Sequence, residues 1–550
     1  MLLLEATQLE KSFGDRQLFK LEQLEIRRHD RVGIVGRNGV GKTTLLHLLA
    51  GEEPLLSGKI KRYAKTALIR QFGPGDAAET SARHKATWGI TDVHNGMSGG
   101  EQVRLKIAHA LEQGAQLLFA DEPTSHLDMQ GIEQLEKALL DYDGALVLIS
   151  HDRSLLDAVC TRILEIEDGV ITEYQGNYSH YHEQKEHRRK RAHDEFDAYQ
   201  REWKRLSQAI VEKRQRSAGM SKIPKRFSSS ESRLYKESAS QRMEKVEKST
   251  KALETRLARL EKKEKPREIA RVQFDTTAYQ EVHAMAAIML DQVSRHMGDR
   301  TLFHKLSCTI KPGMKVALVG RNGAGKSTLL SMITEGAPGI QVSQSCQIGY
   351  FAQSLSLLLD ENQTILANVA ATSSQSETLI RTALARLLFK EADVRKSVHL
   401  LSGGEKSKTA LAKVFLSDAN LLLLDEPTNY LDLLTQVELE QMLADYPGTI
   451  VFATHDRTLI NKVADHVLVW EENGPVFYQG NYQQYVAWKE TRNDARSIGA
   501  DDLLLLQTKQ GEIIGRLSMP IKDPALKEEL ELQYQDVTQK LRTLRVQMGK

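Results

Sequence analysis

The chain has 550 residues, 27% charged and 41% hydrophobic, with a net charge of only +2. No apolar run approaches the roughly 18–20 residues that cross a bilayer, and the start MLLLEATQLEKSF offers neither a basic region nor a cleavage site, which argues for a soluble cytoplasmic protein of about three domains. Cys160, Cys308 and Cys346 are too scattered for a disulfide framework or a metal-ligand spacing, and are expected to be buried small hydrophobes.

The first chemical motif follows the apolar run RVGIVG. GRNGVGKT, Gly36 to Thr43, then leads into TLLHLLA, so the order is strand, glycine loop, helix. In that context the loop amides and the helix amino terminus surround phosphate, Lys42 reaches the β and γ groups, and the Thr43 hydroxyl holds Mg2+. Gln71, after a short strand, is placed to watch metal and water. In MSGGEQ, Ser98 suits a helix N-cap and Glu101 the N3 position of a capping box, so Gly99 and Gly100 open a helix whose positive end faces phosphate. Since the domain's own loop already surrounds one nucleotide, this second anion site is expected to serve a partner's. Asp121 ends the apolar strand QLLFAD, where a carboxylate can hold the metal through water. Glu122, next in DEPT, is placed to polarise the attacking water, and His151 after the following strand to contact the γ-phosphate.

All of this recurs. GIVGRNGVGKTTLL from Gly33 returns as ALVGRNGAGKSTLL from Ala317, an offset of 284, and MSGGEQ, LLFADEPTSHLD, ISHDR and YQGNY return 304 residues on. The second set is Lys326 and Ser327 in the glycine loop, Gln353, Ser402 with Gly403 and Gly404, Asp425, Glu426 and His455.

Between the copies the composition changes. Residues 183–275 contain 27 Lys and Arg against 16 Asp and Glu, a surplus of 11 that leaves the remainder at −9. Phe196, Tyr199, Trp203, Leu206 and Ile210, then Met243, Val246, Thr250, Leu253, Leu257 and Leu260, run at three-four spacing and predict two helices sharing an apolar seam. Gly219, Pro224 and a serine cluster interrupt them, giving an antiparallel hairpin with its tip at about 217–233. A first helix from about 183 to 216 would reach roughly 50 Å. At the tip, Met220, Ile223 and Phe227 could wedge among bases or against a small ligand while Lys222, Lys225 and Arg226 hold phosphates. After the second copy, the run from Asp501 and the series Leu530, Tyr534, Val537, Leu541 and Leu544 predict a second, smaller helical hairpin.

These motifs resemble the ATP-binding-cassette (ABC) superfamily. The resemblance implies an α/β fold with two tandem P-loop ATPase domains, at 1–182 and 276–490, joined by the helical linker 183–275 and followed by a helical extension 491–550. It also implies two ATP molecules sandwiched head to tail. One would be held by Gly36, Arg37, Asn38, Gly39, Val40, Gly41, Lys42, Thr43 and Thr44, with Asp121, Glu122, His151 and the opposing Ser402, Gly403 and Gly404. The other would be held by Gly320, Arg321, Asn322, Gly323, Ala324, Gly325, Lys326, Ser327 and Thr328, with Asp425, Glu426, His455 and the opposing Ser98, Gly99 and Gly100. Phe13 resembles the aromatic that stacks on adenine. Met297 occupies the aligned position of the second copy, and Tyr430 replaces the usual His of the D-loop.

Without a membrane domain, and with a basic hairpin between cassettes, the chain is most similar to the ABC-F proteins. That similarity implies binding at the ribosomal E site, with the linker directed at P-site tRNA, 23S rRNA and the peptidyl-transferase centre, by a monomer that pairs its own cassettes and takes neither membrane nor DNA as partner. The short span from Gly41 to Ser98 leaves no room for the arm insertion of housekeeping members and points to the antibiotic-resistance branch. A general translation factor and the ATPase subunit of a transporter are the alternatives.

Overall fold

A computed structural model describes residues 1–13, 16–55, 57–71, 80–90, 97–220, 229–263, 265, 282, 284–298, 300–352, 358–471, 474–491, 510 and 524–547. The chain folds into two units, the first comprising Met1–Lys85, Lys106–Pro123 and Glu136–Arg271, the second Ala86–Leu105, Thr124–Leu135 and Val272–Lys550.

The first repeat runs β1 (Leu2–Phe13), β2 (Arg16–Arg27), β3 (Arg31–Gly36), α1 (Lys42–Ala50), β4 (Lys59–Arg62), β5 (Thr66–Ile69), α2 (Ala82–Thr87), α3 (Gly99–Glu112), β6 (Leu117–Asp121), α4 (Met129–Leu140), β7 (Ala145–Ile149), α5 (Arg153–Val159), β8 (Arg162–Glu167) and β9 (Val170–Gln175). Its strands form one sheet in the order β4-β1-β2-β9-β8-β3-β7-β6-β5. LLFAD and ALVLI are buried at every position, as parallel strands covered on both faces require. With β3 between β7 and β8, the glycine loop leaves the carboxyl end of a central strand, where open α/β sheets bind ligands.

The antiparallel β1/β2/β4 edge depends on one turn. Gly58 has φ +92°, and a Cβ there would stand 2.4 Å from the Gln8 carbonyl oxygen and 2.6 Å from that of Thr7, just where β4 pairs with β1. Gly58→Ala is therefore expected to destabilise the first unit by about 1–3 kcal/mol, measured by urea unfolding.

The second repeat runs β10 (Ile288–Met297), β11 (Arg300–Ile310), β12 (Lys315–Val319), α8 (Lys326–Glu335), β13 (Ile340–Val342), β14 (Ile348–Phe351), α9 (Ile365–Ala370), α10 (Glu377–Arg386), α11 (Gly403–Phe415), β15 (Leu421–Asp425), α12 (Leu433–Asp445), β16 (Thr449–Ala453), α13 (Arg457–Val463), β17 (His466–Glu471) and β18 (Gly474–Gln479). Its central sheet, β14-β15-β16-β12-β17-β18, repeats the order of β5-β6-β7-β3-β8-β9, with β11-β10-β13 a sheet of its own. Helices α9 and α10 fall in the segment that makes this repeat longer. Residues 482–491 form α14, and Pro524–Gln547 forms α15, which buries Leu530, Val537 and Leu541. The other half of the expected C-terminal hairpin lies outside the described residues, apart from Gln510, whose amide donates to Thr538 Oγ1 at 3.0 Å.

The linker is a hairpin of α6 (Tyr178–Met220) and α7 (Ser229–Ala258). At 43 residues, α6 exceeds the expected 183–216 at both ends, and at 1.5 Å per residue it measures about 65 Å. Leu206, Ile210 and Thr250 are buried in the seam, flanked by Lys213 Nζ to Ser249 Oγ at 2.9 Å, Arg214 to Glu254 at 2.7 Å and Arg256 to Glu202 at 3.2 Å. Trp203 departs from the expectation, being 48% exposed. Three-four spacing marks a face but does not say what covers it. Of the expected tip residues, Lys222, Ile223, Lys225, Arg226 and Phe227 lie outside the described residues, as does the side chain of Met220. The cysteines also differ from expectation: Cys160 is buried, whereas Cys308 and Cys346 are only half-buried.

A buried carboxylate fixes the root of α6. Glu165 lies on β8, which pairs with the glycine-loop strand β3, and is 4% exposed. It accepts from Tyr174 Oη at 3.2 Å and Tyr181 Oη at 2.6 Å and pairs with Lys185, while Arg188 stacks on the Tyr174 ring at 4.8 Å. The second repeat builds a related cluster from Glu471, the counterpart of Glu167, with Tyr485 and Lys489, the Lys489–Glu471 pair standing 3.1 Å apart. Tyr181 and Tyr485, which dock the helix leaving each cassette, stand three residues beyond the YQGNY motif.

Candidate active site

Both glycine loops have the conformation that their sequence requires. Gly41 (φ 100°) and Gly325 (φ 104°) sit left-handed at the N-caps of α1 and α8 with no side-chain cap, leaving first-turn amides for an anion. A Cβ at Gly41 would meet the Phe19 ring at 3.1 Å, and one at Gly325 the Phe303 ring at 3.2 Å. Lys42 Nζ donates to the Gly36 carbonyl at 2.8 Å and that of Arg37 at 3.1 Å; Lys326 does the same to Gly320 at 2.8 Å and Arg321 at 3.2 Å. Asn38, Gly39 and Val40, like Gly323 and Ala324, lie within the loops, and Thr44 and Thr328 lie in the first helical turns.

Each loop faces the predicted carboxylates. Thr43 Oγ1 donates to Asp121 Oδ1 at 3.3 Å and Ser327 Oγ to Asp425 Oδ1 at 3.0 Å. Among the described residues, Asp121 Oδ2 is buried with no hydrogen bond and has His47 Nε2 at 3.7 Å. Glu122 (φ 48°) and Glu426 (φ 51°) both adopt the left-handed region, a strained state in the same place in both repeats. Their amides donate to the Ile149 and Ala453 carbonyls at 2.9 Å. His151 Nε2 stands 3.2 Å from Glu122 Oε1, and His455 Nε2 stands 3.3 Å from Glu426 Oε1.

Burial dominates the electrostatics. It pushes Glu122 up to about 7 and Glu426 up to about 8, against the attraction of Lys42 and Lys326. Asp121 is raised by burial and by Glu122, and Asp425 by burial. Burial and then Lys326 push His455 down to about 3. The His455–Glu426 approach therefore involves a neutral imidazole, whose Nε2 also lies 3.0 Å from Asn322 Oδ1 and 3.4 Å from Lys326 Nζ. A carboxylate titrating near neutrality, held beside a lysine and an imidazole, can take a proton from water.

Within the second unit, segments of the first repeat meet the second glycine loop. Asn322 Nδ2 donates to the His126 carbonyl at 2.8 Å, the Asn322 amide to Asp128 Oδ2 at 3.3 Å and Arg321 Nε to Gln130 Oε1 at 2.8 Å. Gly100 packs on this strip so closely that a Cβ would stand 2.8 Å from the His126 carbonyl oxygen and 3.6 Å from Asn322 Nδ2. Of the expected group Ser98, Gly99 and Gly100, it is Gly100 that stands against the second glycine loop, at Asn322. Ser98 receives the Glu101 amide at 3.4 Å and Glu101 Oε2 takes the Ser98 amide at 2.8 Å; Ser402 and Glu405 complete the same capping box at α11.

Sequence reasoning missed His126, Asp128 and Gln130. Their signal was the recurrence of SHLD as NYLD, where Asp432, the counterpart of Asp128, caps α12 by accepting the Thr435 amide at 2.9 Å. Gln71 stands just beyond β5, its carbonyl accepting from Lys106 Nζ at 3.1 Å. Gln353 and the Phe13 side chain lie outside the described residues, and Met297 is 67% exposed.

A family model described as ABC transporter matches residues 20–73, 76–125 and 303–429, and a second of the same description matches 164–274, the hairpin segment. "Ribosome protection protein VmlR" of Bacillus subtilis (strain 168) is 31% identical over 555 residues, covering 96% of each chain. "Erythromycin resistance ATP-binding protein MsrA" of Staphylococcus epidermidis is 33% identical over 486 residues, covering 85% of this chain and 97% of the relative. The chain belongs to the ABC-F family. As an ABC-F protein it is an ATPase of two cassettes with a long helical linker. An archaeal ribosome recycling factor, solved with a ribosomal stalk protein, shares the fold with a TM-score of 0.60 and 19% identity over 87% of this chain and 92% of that one. Among the described residues, no helix of the ABC-F chain is long and apolar enough to cross a membrane.

Proposed function

We propose that this ABC-F ATPase acts on the ribosome in the cytoplasm, as a monomer divided functionally near residues 182, 275 and 490. It binds at the E site, closes on two ATP and directs its linker tip at P-site tRNA, 23S rRNA and the peptidyl-transferase centre, countering antibiotics that bind there. The observation that carries this reading is α6, one unbroken 43-residue helix rooted on the strand beside a glycine loop, within a segment of net charge +11. A stiff cationic rod suits a phosphate-lined cavity, and names such as "Ribosome protection protein" and "Erythromycin resistance ATP-binding protein" among relatives support the same direction.

In this mechanism each ATP lies between one glycine loop and the other repeat's SGG helix, the first site taking Ser402, Gly403 and Gly404 and the second Ser98, Gly99 and Gly100. Lys42 and Lys326 leave their loop carbonyls for the β and γ phosphates. Thr43 with Asp121, and Ser327 with Asp425, would hold Mg2+, joined by Gln71 and Gln353; the undonated buried oxygen of Asp121 suits a metal-bound water. When bound, the metal would supply charge neutralisation along the phosphates. Glu122 and Glu426 take the proton of the attacking water, and His151 and His455 orient it and the γ-phosphate. ATP binding closes the sites and hydrolysis releases them.

Expression in a sensitive host is expected to raise tolerance to at least one of the pleuromutilins, lincosamides, streptogramin A, phenicols or macrolides. Unchanged inhibitory concentrations for all five would overturn the protection reading. Absence of ATP-dependent cosedimentation with ribosomes would overturn the ribosomal one.

A further inference from the structure

The shaft of the hairpin carries a cleft that neither the ATP sites nor the tip uses. Its volume is about 370 Å³, within the roughly 300–1,000 Å³ of small-ligand sites. One wall is aromatic: Phe196, Tyr199 and Trp203 line it from α6, the first two rings tilted at 35° with centroids 6.4 Å apart. The other wall is cationic, formed by Lys262, Lys263 and Lys265 beyond the end of α7. Lys263 is shared between Glu195 at 3.5 Å and Glu261 at 3.2 Å, whereas Lys262 and Lys265 have no acidic partner among the described residues.

Two features separate this cleft from ordinary packing. The hairpin seam closes over Leu206 and Ile210, one and two turns along α6, yet leaves Trp203 48% exposed. A half-exposed indole with two further rings beside it is an unused stacking surface. Across the same cleft, the ammonium groups of Lys262 and Lys265, without an acidic partner among the described residues, can attract an anion. A flat π-system attached to a phosphate satisfies both walls at once, and aromatic platforms edged with cations are how proteins hold unpaired nucleotides.

We infer that this cleft is a binding site for an unpaired RNA nucleotide, its base against Phe196, Tyr199 and Trp203 and its phosphates on Lys262 and Lys265. The inference rests on the ribosomal reading for the source of the RNA. It adds a contact midway along α6 to those expected of the tip.

The test uses the full chain and fluorescent ten-nucleotide single-stranded RNA, with a ten-base-pair RNA duplex as control. Phe196→Ala with Trp203→Ala is expected to weaken single-strand binding about tenfold or more, while Trp203→Phe retains most of it. Lys262→Ala with Lys265→Ala should flatten the slope of log affinity against log salt by about 1.4. Photocrosslinking of 5-iodouridine RNA should label the peptide carrying Tyr199 and Trp203. Equal affinity in the aromatic variant, crosslinks only elsewhere, or displacement of the RNA by an acidic peptide with the aromatic rings dispensable would overturn the inference. If wild-type protein cosediments with ribosomes while these variants bind single strands normally, the cleft proposal fails alone. If cosedimentation fails while the cleft still binds RNA, the ribosomal reading fails alone.

Discussion

Replacing Glu122 and Glu426 together by glutamine is expected to lower ATP turnover by about 10²–10⁴-fold, the usual worth of a general base. ATP binding should persist, because glutamine keeps the shape and leaves the glycine loops intact. With release blocked, the variant should accumulate in the ribosomal pellet when ATP is present, and a wild-type distribution would count against the proposed cycle. The pH dependence tests the assignment separately. Wild-type turnover should climb between about pH 6 and pH 9 as the buried carboxylates lose their protons, since burial places them near 7 and 8. In the glutamine variant that climb should vanish.

The same shifts carry a stability prediction of definite sign. Both glutamates have folded values above 4.5, so the native protein holds more protons than the unfolded chain as pH rises between the two values. Stability contributed by the protonated form is present at low pH and lost through about pH 7–8. An upward shift of about 2.5 at Glu122 corresponds to about 3 kcal/mol. The double glutamine variant should therefore unfold like wild type at pH 4 and at higher urea than wild type at pH 9.

Glu165→Ala should cost the first unit about 3 kcal/mol, because it removes the buried acceptor of two tyrosine hydroxyls, while Lys185 keeps Glu167 at 3.1 Å. Tyr181→Phe should cost about 1 kcal/mol, removing a single hydrogen bond. Urea unfolding followed by circular dichroism reads both. Limited proteolysis reads what stability alone does not: Glu165→Ala should expose the first turns of α6 to cleavage while the α1 loop still binds ATP. Equal protection of those turns would show that the carboxylate does not anchor the helix.

Much of the candidate site's local structure was legible because its motifs are contiguous. A glycine loop, a carboxylate ending an apolar strand and a capping box each need only local backbone, so GRNGVGKT, FADEP and SGGEQ announced them, and repetition at fixed offsets removed coincidence. Long-range partners were not legible in this way. Nothing in the string around Asn322 names the carbonyl of His126 or the carboxylate of Asp128, about two hundred residues upstream. The hairpin was half legible. Its periodicity located α6 and α7, but the same period fits a buried seam and a cleft wall, and Trp203 belongs to the wall. The early start of α6 at Tyr178 follows from the Glu165 cluster, which pulls Tyr181 and Lys185 into helix before the charged repeat begins.

The absence of any interruption in α6 has a geometric corollary. In a straight α-helix every added residue advances the far end by 1.5 Å and rotates it by about 100°, so length and azimuth cannot be tuned separately. Insertions or deletions near seven or eleven residues restore nearly the same bearing, whereas a change of two would swing the distal side chains to the opposite flank. Evolution or engineering of this protuberance is thereby confined to a few discrete lengths.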